Sequence, residues 1–407
     1  MASLPLIVDG VPSVAPIRRL PPLPLAIVAV VSVWALVFEV PRFAGLVSAN
    51  AGANDFRLFY IAAEAGLRWG WSHMYDPHLL DVLSARLGEG EDIKSAYTYA
   101  NPPLVAWIAV PLTALPLGVA FHVWAALNIA ALVTAWWLAA PGRGFARVTV
   151  LLASLAIWPM VYALERGQPV LLVFAFAIGA WWMASRNRQV EAGILLALGC
   201  AIKPQDLVLL PIVFVLCGFK RAALWWLFAS TVLWAIFAFV IGADGLGTYL
   251  GILAWVQTNP QHLADTYAIL VGPGAATIAS AALVALTLVA VWRQRRSWDI
   301  AFALGLLGTV MAGVHVHEYD YVGLVVAGWM VLRHPNSAVE LTWIGLGVIT
   351  VQVLSVGNRL PVLLWQPIWL AVVVFGSQSR AIAYLKSTRY RESNDELTSD
   401  EHRLLVS

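Results

Sequence analysis

Long apolar runs are the feature that most limits what this chain can fold into. From about Pro102 to Phe375 they follow one another with only short polar breaks, and 60% of all residues are hydrophobic while 12% are charged. Soluble folds must cover themselves with polar groups, and their charged fraction is about 25%. The sequence therefore predicts an all-α polytopic membrane protein, and it excludes a soluble enzyme, a disordered protein and a nucleic-acid-binding domain.

The polar breaks, among them a predicted outer break at Gly242–Asp265, divide the chain into about twelve transmembrane helices. The first is predicted at Leu23–Val40, and residues 43–101 form a long extracytoplasmic loop that carries juxtamembrane helices. Prolines interrupt the next apolar run, so Pro103–Leu115 is interpreted as a short re-entrant or juxtamembrane helix before a span at Leu117–Ala139. Residues 1–22 and 377–407 are predicted cytoplasmic segments on either side of one transmembrane domain, 23–376.

The distribution of basic residues predicts the orientation. If Arg18 and Arg19 are cytoplasmic, alternate breaks place 17 of the 25 Lys and Arg residues inside. Cytoplasmic loops of membrane proteins carry such an excess. We expect a multi-pass plasma-membrane protein whose first helix is a retained anchor.

Carboxylates, histidines and amides gather at the predicted outer breaks, where charges near the membrane tend to mark function. Asp55 precedes a helical pattern over Phe56–Trp69, in which one face is apolar and the other carries Arg57, Glu64 and Arg68. A carboxylate at a helix start is favoured by the helix dipole. Asp55 is therefore either a helix cap or a functional group.

Three more outer breaks are candidates for a site. Lys203-Pro204 interrupts an apolar run and predicts either an anion-binding lysine or a turn between helices. Glu165–Pro169 predicts a hairpin in which Gln168 either contacts a sugar hydroxyl or marks a polar tip. His315–Asp320 suits phosphate or sugar contact, a divalent metal, or a polar turn. From the residues alone, a membrane enzyme and a transporter both remain open.

Four ordered stretches between about Leu23 and Leu332 resemble glycosyltransferase family 87, within the class C glycosyltransferases. They are Asn54-Asp55-Phe56-Arg57-Leu58-Phe59-Tyr60-Ile61-Ala62-Ala63 with Met74-Tyr75-Asp76; Tyr99-Ala100-Asn101-Pro102-Pro103-Leu104 leading to Pro111-Leu112 and Trp124-Ala125-Ala126-Leu127-Asn128; Gly167-Gln168 with Ala192-Gly193 and Ile202-Lys203-Pro204; and the histidine turn at His315–Asp320.

The resemblance implies an enzyme that takes a sugar from a polyprenyl-phosphate donor at the outer membrane face. The chain also resembles actinobacterial α-1,2-mannosyltransferases of phosphatidylinositol mannoside and lipomannan synthesis, so the expected product is a mannosylated glycolipid or glycan, formed with inversion. By this resemblance Asp55 is the general base. Candidates for binding the donor phosphate are Lys203, Arg57, Arg166, His315 and His317. Candidates for binding the acceptor or sugar are Gln168, Glu165, Tyr60, Tyr99, Asn101 and Glu318.

Alternatives follow from the same residues. In one alternative the donor sugar is arabinofuranose, or a hexose other than mannose. In others the protein is a lipid or solute transporter, or a non-catalytic scaffold. Since protein cations suffice to neutralise a phosphate leaving group, we expect no cofactor and no metal, with a divalent ion as the alternative. The expected partners are the donor, the acceptor and the lipid bilayer, and no nucleic acid.

Overall fold

The computed structural model describes residues 22–50, 55–87, 99–258, 266–313, 316–334 and 337–375, and their secondary structure is helical. The α-helices, joined in places by short 3-10 turns, are α1 (Pro22–Asn50), α2 (Phe56–Trp69), α3 (Pro77–Arg86), α4 (Pro103–Ala109), α5 (Leu117–Ala139), α6 (Phe145–Ala156), α7 (Trp158–Arg166), α8 (Val170–Ala184), α9 (Gln189–Ile202), α10 (Leu210–Leu216), α11 (Lys220–Thr258), α12 (Ala268–Val271), α13 (Pro273–Gln294), α14 (Trp298–Ala312), α15 (Val322–Leu332), α16 (Ala338–Gln352) and α17 (Leu360–Phe375). The predicted tail at 377–407 and the predicted N-terminal segment lie outside this part, apart from Pro22.

Five of the described helices are long and apolar enough to cross a membrane, and the pair α6–α7 makes a sixth if its two parts form one bent span. That pair bends by 58°, and Pro159 lies in the first turn of α7, where it is tolerated while the helix before it ends. The remaining apolar segments, such as α8 and α14, are shorter, at 10–17 residues. The chain is thus a multi-pass helical membrane protein, and the count of twelve spans stays a prediction.

The helix predicted after Asp55 is confirmed, with one error in its faces. It runs over Phe56–Trp69, and Glu64 and Arg68 form an ion pair of 3.1 Å one turn apart. Arg57, assigned to the polar face, is instead only 2% exposed. Its guanidinium donates a hydrogen bond to the carbonyl of Ser84 near the end of α3, so it joins two helices of this loop.

The predicted helical breaks lie where the sequence indicates. Pro103–Ala109 and the 3-10 turn Val110–Ala114 precede α5, whose bounds match the predicted span. Likewise α9 ends at Ile202, and Pro204–Asp206 forms a single 3-10 turn before α10.

One break differs from its prediction. The outer break expected to begin at Gly242 is helical as far as Thr258, with a kink at Gly242, where φ is +69°. The second half of α11 then packs on the 3-10 turn Trp71–Tyr75 of the first loop, and the rings of Tyr249 and Tyr75 lie 4.8 Å apart. Glycine permits this backbone reversal without steric cost.

Small residues bring the central helices together. At Gly193 of α9 an added Cβ would lie 2.4 Å from the carbonyl oxygen of Ala222 in α11, so only glycine allows this approach. Asp299 of α14 lies beside the last turn of α8. Its carboxylate accepts hydrogen bonds from the Trp181 indole of α8 (3.1 Å) and from Arg333 at the end of α15 (2.9 Å). This network holds α8, α14 and α15 together. It lies about 20 Å from the start of α8, which is the length of that helix.

Candidate active site

The hairpin between α7 and α8 presses directly on the start of α2. Gly167 ends α7 in the left-handed conformation (φ +69°, ψ +32°), and a Cβ there would lie 2.6 Å from the Cβ of Phe56. Its carbonyl accepts a 2.7 Å hydrogen bond from the indole of Trp124 in α5. Glycine is required both for the turn and for the close contact, and the result is that Gln168 lies beside Asp55.

Gln168 fixes the Asp55 carboxylate. Its amide nitrogen donates a 2.7 Å hydrogen bond to Asp55 Oδ2, while Asp55 makes no side-chain cap on α2. Burial raises the pKa of Asp55 above its ordinary value, and the Gln168 bond and the charges of Arg166 and Lys203 lower it again without cancelling the effect. Asp55 therefore has the environment of a positioned carboxylate that is a stronger base than an exposed aspartate.

Lys203 lies in a buried group of charges at the break between α9 and α10. Its ammonium contacts Asp320 Oδ1 directly, lies 3.7 Å from Asp206 Oδ2, and sits 4.3 Å from the ring centroid of Tyr319. The second carboxylate oxygen of Asp320 accepts a 2.8 Å hydrogen bond from the backbone N–H of His317. This links the Lys203 break to the histidine turn.

A row of three stacked rings runs beside these charges. The ring centroids of Trp158 and Tyr162 are 5.3 Å apart, and those of Tyr162 and Tyr319 are 5.9 Å apart, with interplanar angles of 24° and 17°. Each ring carries a cation, and the distances to the ring centroids are 5.2 Å for Arg42 on Trp158 and 5.1 Å for Arg166 on Tyr162, with Lys203 on Tyr319. Such cation–π contacts hold the cations in place.

We call Asp55, Tyr162, Arg166, Gln168, Lys203 and Tyr319 the Asp55 cluster, since their charges or hydrogen bonds act on one another. Glu318 borders it: its carboxylate accepts a 2.5 Å hydrogen bond from the Trp158 indole, and burial raises its pKa. The imidazole of His317 lies 5.1 Å from the Tyr319 ring. His315 lies outside the described residues.

Several predicted site residues are placed elsewhere. Tyr99 is fully buried, with its hydroxyl donating to the carbonyl of Pro102, so it offers no surface to a sugar. The Tyr60 hydroxyl donates to the carbonyl of Leu115 at 2.9 Å.

Three more predicted residues have partners away from the Asp55 carboxylate. The carbonyl of Asn101 accepts a hydrogen bond from Tyr75. Glu165 pairs with Arg42 of α1 at 3.4 Å. Arg57 bonds to Ser84. The hydroxyl contacts of Tyr60 and Tyr99 favour packing roles for these two residues, while the binding roles of Arg57, Asn101 and Glu165 stay predictions.

Within the described ranges, no group of three or more His, Cys, Asp or Glu side chains has the arrangement of a metal site. The carboxylates near Lys203 already face an ammonium ion. That the reaction needs no metal stays a prediction.

Sequence reasoning left Trp158, Tyr162 and Tyr319 out of the candidate residues. Trp158 and Tyr162 are four residues apart on an apolar helix, a spacing that equally describes an ordinary core face. The signal that separates them is the cation on each ring. Arg166 is one turn from Tyr162 and gives a local sign of this contact, whereas the cations on Trp158 and Tyr319 come from residues distant in sequence.

Together the fold and the cluster define a multi-pass helical membrane protein with a charged, aromatic-lined centre between helix ends. The chain belongs to glycosyltransferase family 87, whose family model matches residues 97–317, just over half of the 407 residues. It is therefore a membrane glycosyltransferase, as the resemblance implied. No curated protein and no solved structure gives a significant match.

Proposed function

We propose that this glycosyltransferase moves a sugar, most simply mannose, from a polyprenyl-phosphate donor to a hydroxyl of a glycolipid or glycan acceptor. The transfer takes place at the extracytoplasmic face of the plasma membrane. The observation that carries the proposal is the Asp55 carboxylate, held by Gln168 and acted on by the charges of Arg166 and Lys203.

Asp55 is the general base. As the acceptor oxygen attacks the anomeric carbon, its proton passes to the carboxylate, and a raised pKa improves that transfer because the base is stronger. Gln168 directs Oδ2 and leaves the other carboxylate oxygen for the acceptor hydroxyl.

The leaving group is polyprenyl phosphate. The bond between the anomeric carbon and the phosphate oxygen breaks as the new bond forms on the opposite face, so the configuration inverts. Negative charge develops on the phosphate, and cations fixed before the reaction stabilise it most effectively. Arg166, held over Tyr162, is the cation of the cluster suited to this role.

The sugar specificity is tested by offering the purified protein in detergent a panel of radiolabelled polyprenyl-phosphate donors together with membrane lipid acceptors. We expect the mannose donor to be used at least tenfold faster than the arabinofuranose or glucose donor. An NMR spectrum of the product should give the anomeric configuration opposite to that of the donor. Retained configuration would contradict direct displacement, and preference for another sugar would replace mannose within the same mechanism.

A further inference from the structure

Tyr162 is the middle of the three stacked rings in the site. The centroid of its ring lies 5.3 Å from that of Trp158 and 5.9 Å from that of Tyr319, and both pairs are nearly parallel, with interplanar angles of 24° and 17°. Trp158 and Tyr319 are both buried. The position of the Tyr162 ring therefore depends on how firmly these two neighbours are held.

Trp158 is held by two segments that come much later in the chain. N–H groups in the first turn of a helix have no partner within the helix, and the backbone N–H of Trp158 donates a 3.0 Å hydrogen bond to the side-chain oxygen of Gln352, where α16 ends. The Trp158 indole donates a 2.5 Å hydrogen bond to Glu318. The Arg359 guanidinium lies 3.7 Å from the other oxygen of this carboxylate. Trp158 is thus fixed both by α16 and by the turn before α15.

Tyr319 is the third ring of the row. It follows Glu318 in the chain, so the turn that binds the Trp158 indole also carries this ring. The Lys203 ammonium lies 4.3 Å from the ring centroid and joins it to the break between α9 and α10. Both neighbours of the Tyr162 ring are therefore anchored to elements outside α7.

Arg166 is the charged group that Tyr162 contacts within α7. The two residues are four positions apart and lie on the same face of the helix, and the guanidinium carbon is 5.1 Å from the ring centroid. Arg166 is half-buried and is the last residue of α7, directly before the left-handed Gly167. An arginine side chain has many rotamers. Attraction to a ring that is itself fixed favours the rotamers that keep the guanidinium on that ring.

We infer that Tyr162 is a positioning residue for the transfer: stacked with Trp158 and Tyr319, its ring holds the Arg166 guanidinium ready for the donor phosphate. The inference rests on the proposed function of Arg166 as the cation for that phosphate. A cation that is fixed before the reaction needs no rearrangement as negative charge develops on the leaving group. Because the effect of Tyr162 passes through Arg166, removing the ring should matter only while the guanidinium is present.

The test is a double-mutant cycle on kcat/KM for the radiolabelled polyprenyl-phosphate sugar that wild type uses fastest. Arg166→Gln should lower this value at least tenfold, since a charge-assisted contact with phosphate is lost. Tyr162→Leu removes the ring and should lower it about fivefold, the strength of one cation–π contact. The double variant Tyr162→Leu/Arg166→Gln should match Arg166→Gln within about twofold, because no guanidinium is left to position.

Two further variants are controls. Tyr162→Phe keeps the ring and should stay within about threefold of wild type. Trp182→Leu removes a matched ring, since Trp182 and Arg186 have the same four-residue spacing near the end of α8 and the guanidinium carbon lies 3.6 Å from the ring centroid. This pair is at the other end of α8 from Arg166, so kcat/KM should not change. Thermal unfolding in detergent shows whether each variant is folded, and Tyr162→Met replaces Tyr162→Leu if that variant is not.

Each outcome distinguishes the inference from the proposed function. If Arg166→Gln is impaired but Tyr162→Leu is as active as wild type, or if the two losses multiply in the double variant, the inference is overturned while Arg166 keeps its role. Multiplied losses would show that the ring supports the fold independently of the guanidinium. If Arg166→Gln is as active as wild type, the phosphate role of Arg166 and the inference fail together, and no transfer by wild type from any donor of the panel would refute the proposed function and the inference alike.

Discussion

At the residue scale, the environment of Asp55 is unfavourable for a charged group and favourable for a base. The carboxylate is removed from much of its water, one hydrogen bond from Gln168 replaces part of that hydration, and the cations Arg166 and Lys203 offset part of the remaining cost. A residue that only capped α2 would bond to the backbone of its first turn, and Asp55 does not. Its placement costs stability, which is typical of catalytic groups.

We therefore expect Asp55→Asn to keep or raise the thermal stability of the protein. Because the pKa of Asp55 is raised in the folded state, its ionisation opposes folding. Stability is highest below the unfolded-state pKa of about 3.9 and falls as pH rises through the folded-state pKa. Asparagine removes that loss and keeps an oxygen for Gln168. Thermal unfolding of wild type and Asp55→Asn in detergent at pH 7.5 measures the difference in stability. A clearly lower Tm for the variant would contradict a destabilising Asp55 carboxylate.

The pH profile of the wild-type enzyme should reflect the same carboxylate. Transfer requires Asp55 in its ionised form, so kcat/KM should fall as pH drops through the raised pKa, at a higher pH than for an ordinary aspartate. Measuring kcat/KM in buffers of constant ionic strength checks this. A rate that stays flat down to pH 4 would argue against a base with a raised pKa.

At the element scale, the α7–α8 hairpin connects the fold to the chemistry. It contacts α2 through Gly167 and Phe56, is bonded to α5 through Trp124, and carries both Arg166 and Gln168. The sequence predicts the hairpin from Gly and Pro. It does not predict the partner of Gln168, because Asp55 is 113 residues away.

Gly167→Ala should damage both folding and transfer. The new Cβ would lie 2.6 Å from Phe56 Cβ and 2.9 Å from the Phe121 ring, so the hairpin must move away from α2 and take Gln168 with it. We expect a loss of about 2–4 kcal/mol in unfolding free energy, from overpacking together with the left-handed backbone, and at least a tenfold loss of kcat.

Gly357→Ala is the matched control. Gly357 has a similar left-handed backbone, with φ +76°, but nothing lies within 4 Å of a Cβ there. It should lose only the backbone part of the stability, about 1 kcal/mol, and keep its kcat. Equal effects of the two substitutions would show that the contact with α2 is unimportant.

At the scale of the whole molecule, two polar networks lie at opposite ends of α8. The Asp55 cluster lies at the N-terminal end of α8, and the network of Asp299, Arg333 and Trp181 lies at its C-terminal end. Among the described residues, the second network lies one length of α8 away from the cluster, and its contacts hold α8, α14 and α15 in register.

Asp299→Asn should therefore lower stability without affecting substrate use. We expect a loss of about 1–3 kcal/mol, because Arg333 and His334 lose a shared, mostly buried carboxylate. Donor and acceptor KM should not change. Glu191→Gln is the control, since its pair with Arg188 is exposed and weakened by solvent screening, so its loss should leave stability unchanged. A changed KM in Asp299→Asn would indicate coupling between the two ends.

The membrane orientation is tested by cysteine labelling from outside whole cells. Ser95→Cys should react with a membrane-impermeant maleimide, although Ser95 lies outside the described residues. Ser185→Cys, at the exposed end of α8, should react only after the membrane is opened. The reverse pattern would place Asp55 in the cytoplasm and exclude an extracytoplasmic donor site.

The sequence predicts local events well because they depend on neighbours in the chain. The helix at Phe56–Trp69, the span at Leu117–Ala139 and the break at Lys203-Pro204 follow from periodicity, proline and charge. Arg57 and the Lys203–Asp320 pair depend on contacts between distant segments, and periodicity holds no information on them. The sequence does not predict the second half of α11, because glycine at position 242 is typical of a helix end. Packing against Tyr75 continues the helix beyond this residue.

The central claim is tested most directly by sugar transfer from radiolabelled polyprenyl-phosphate mannose to membrane lipid acceptors, with wild type and Asp55→Asn compared at equal amounts of folded protein. The account predicts transfer by wild type and a loss of at least about a hundredfold in the variant, as expected for removal of a general base. Transfer retained by Asp55→Asn would contradict the assignment of the base, and no transfer by wild type would contradict mannose as the donor sugar.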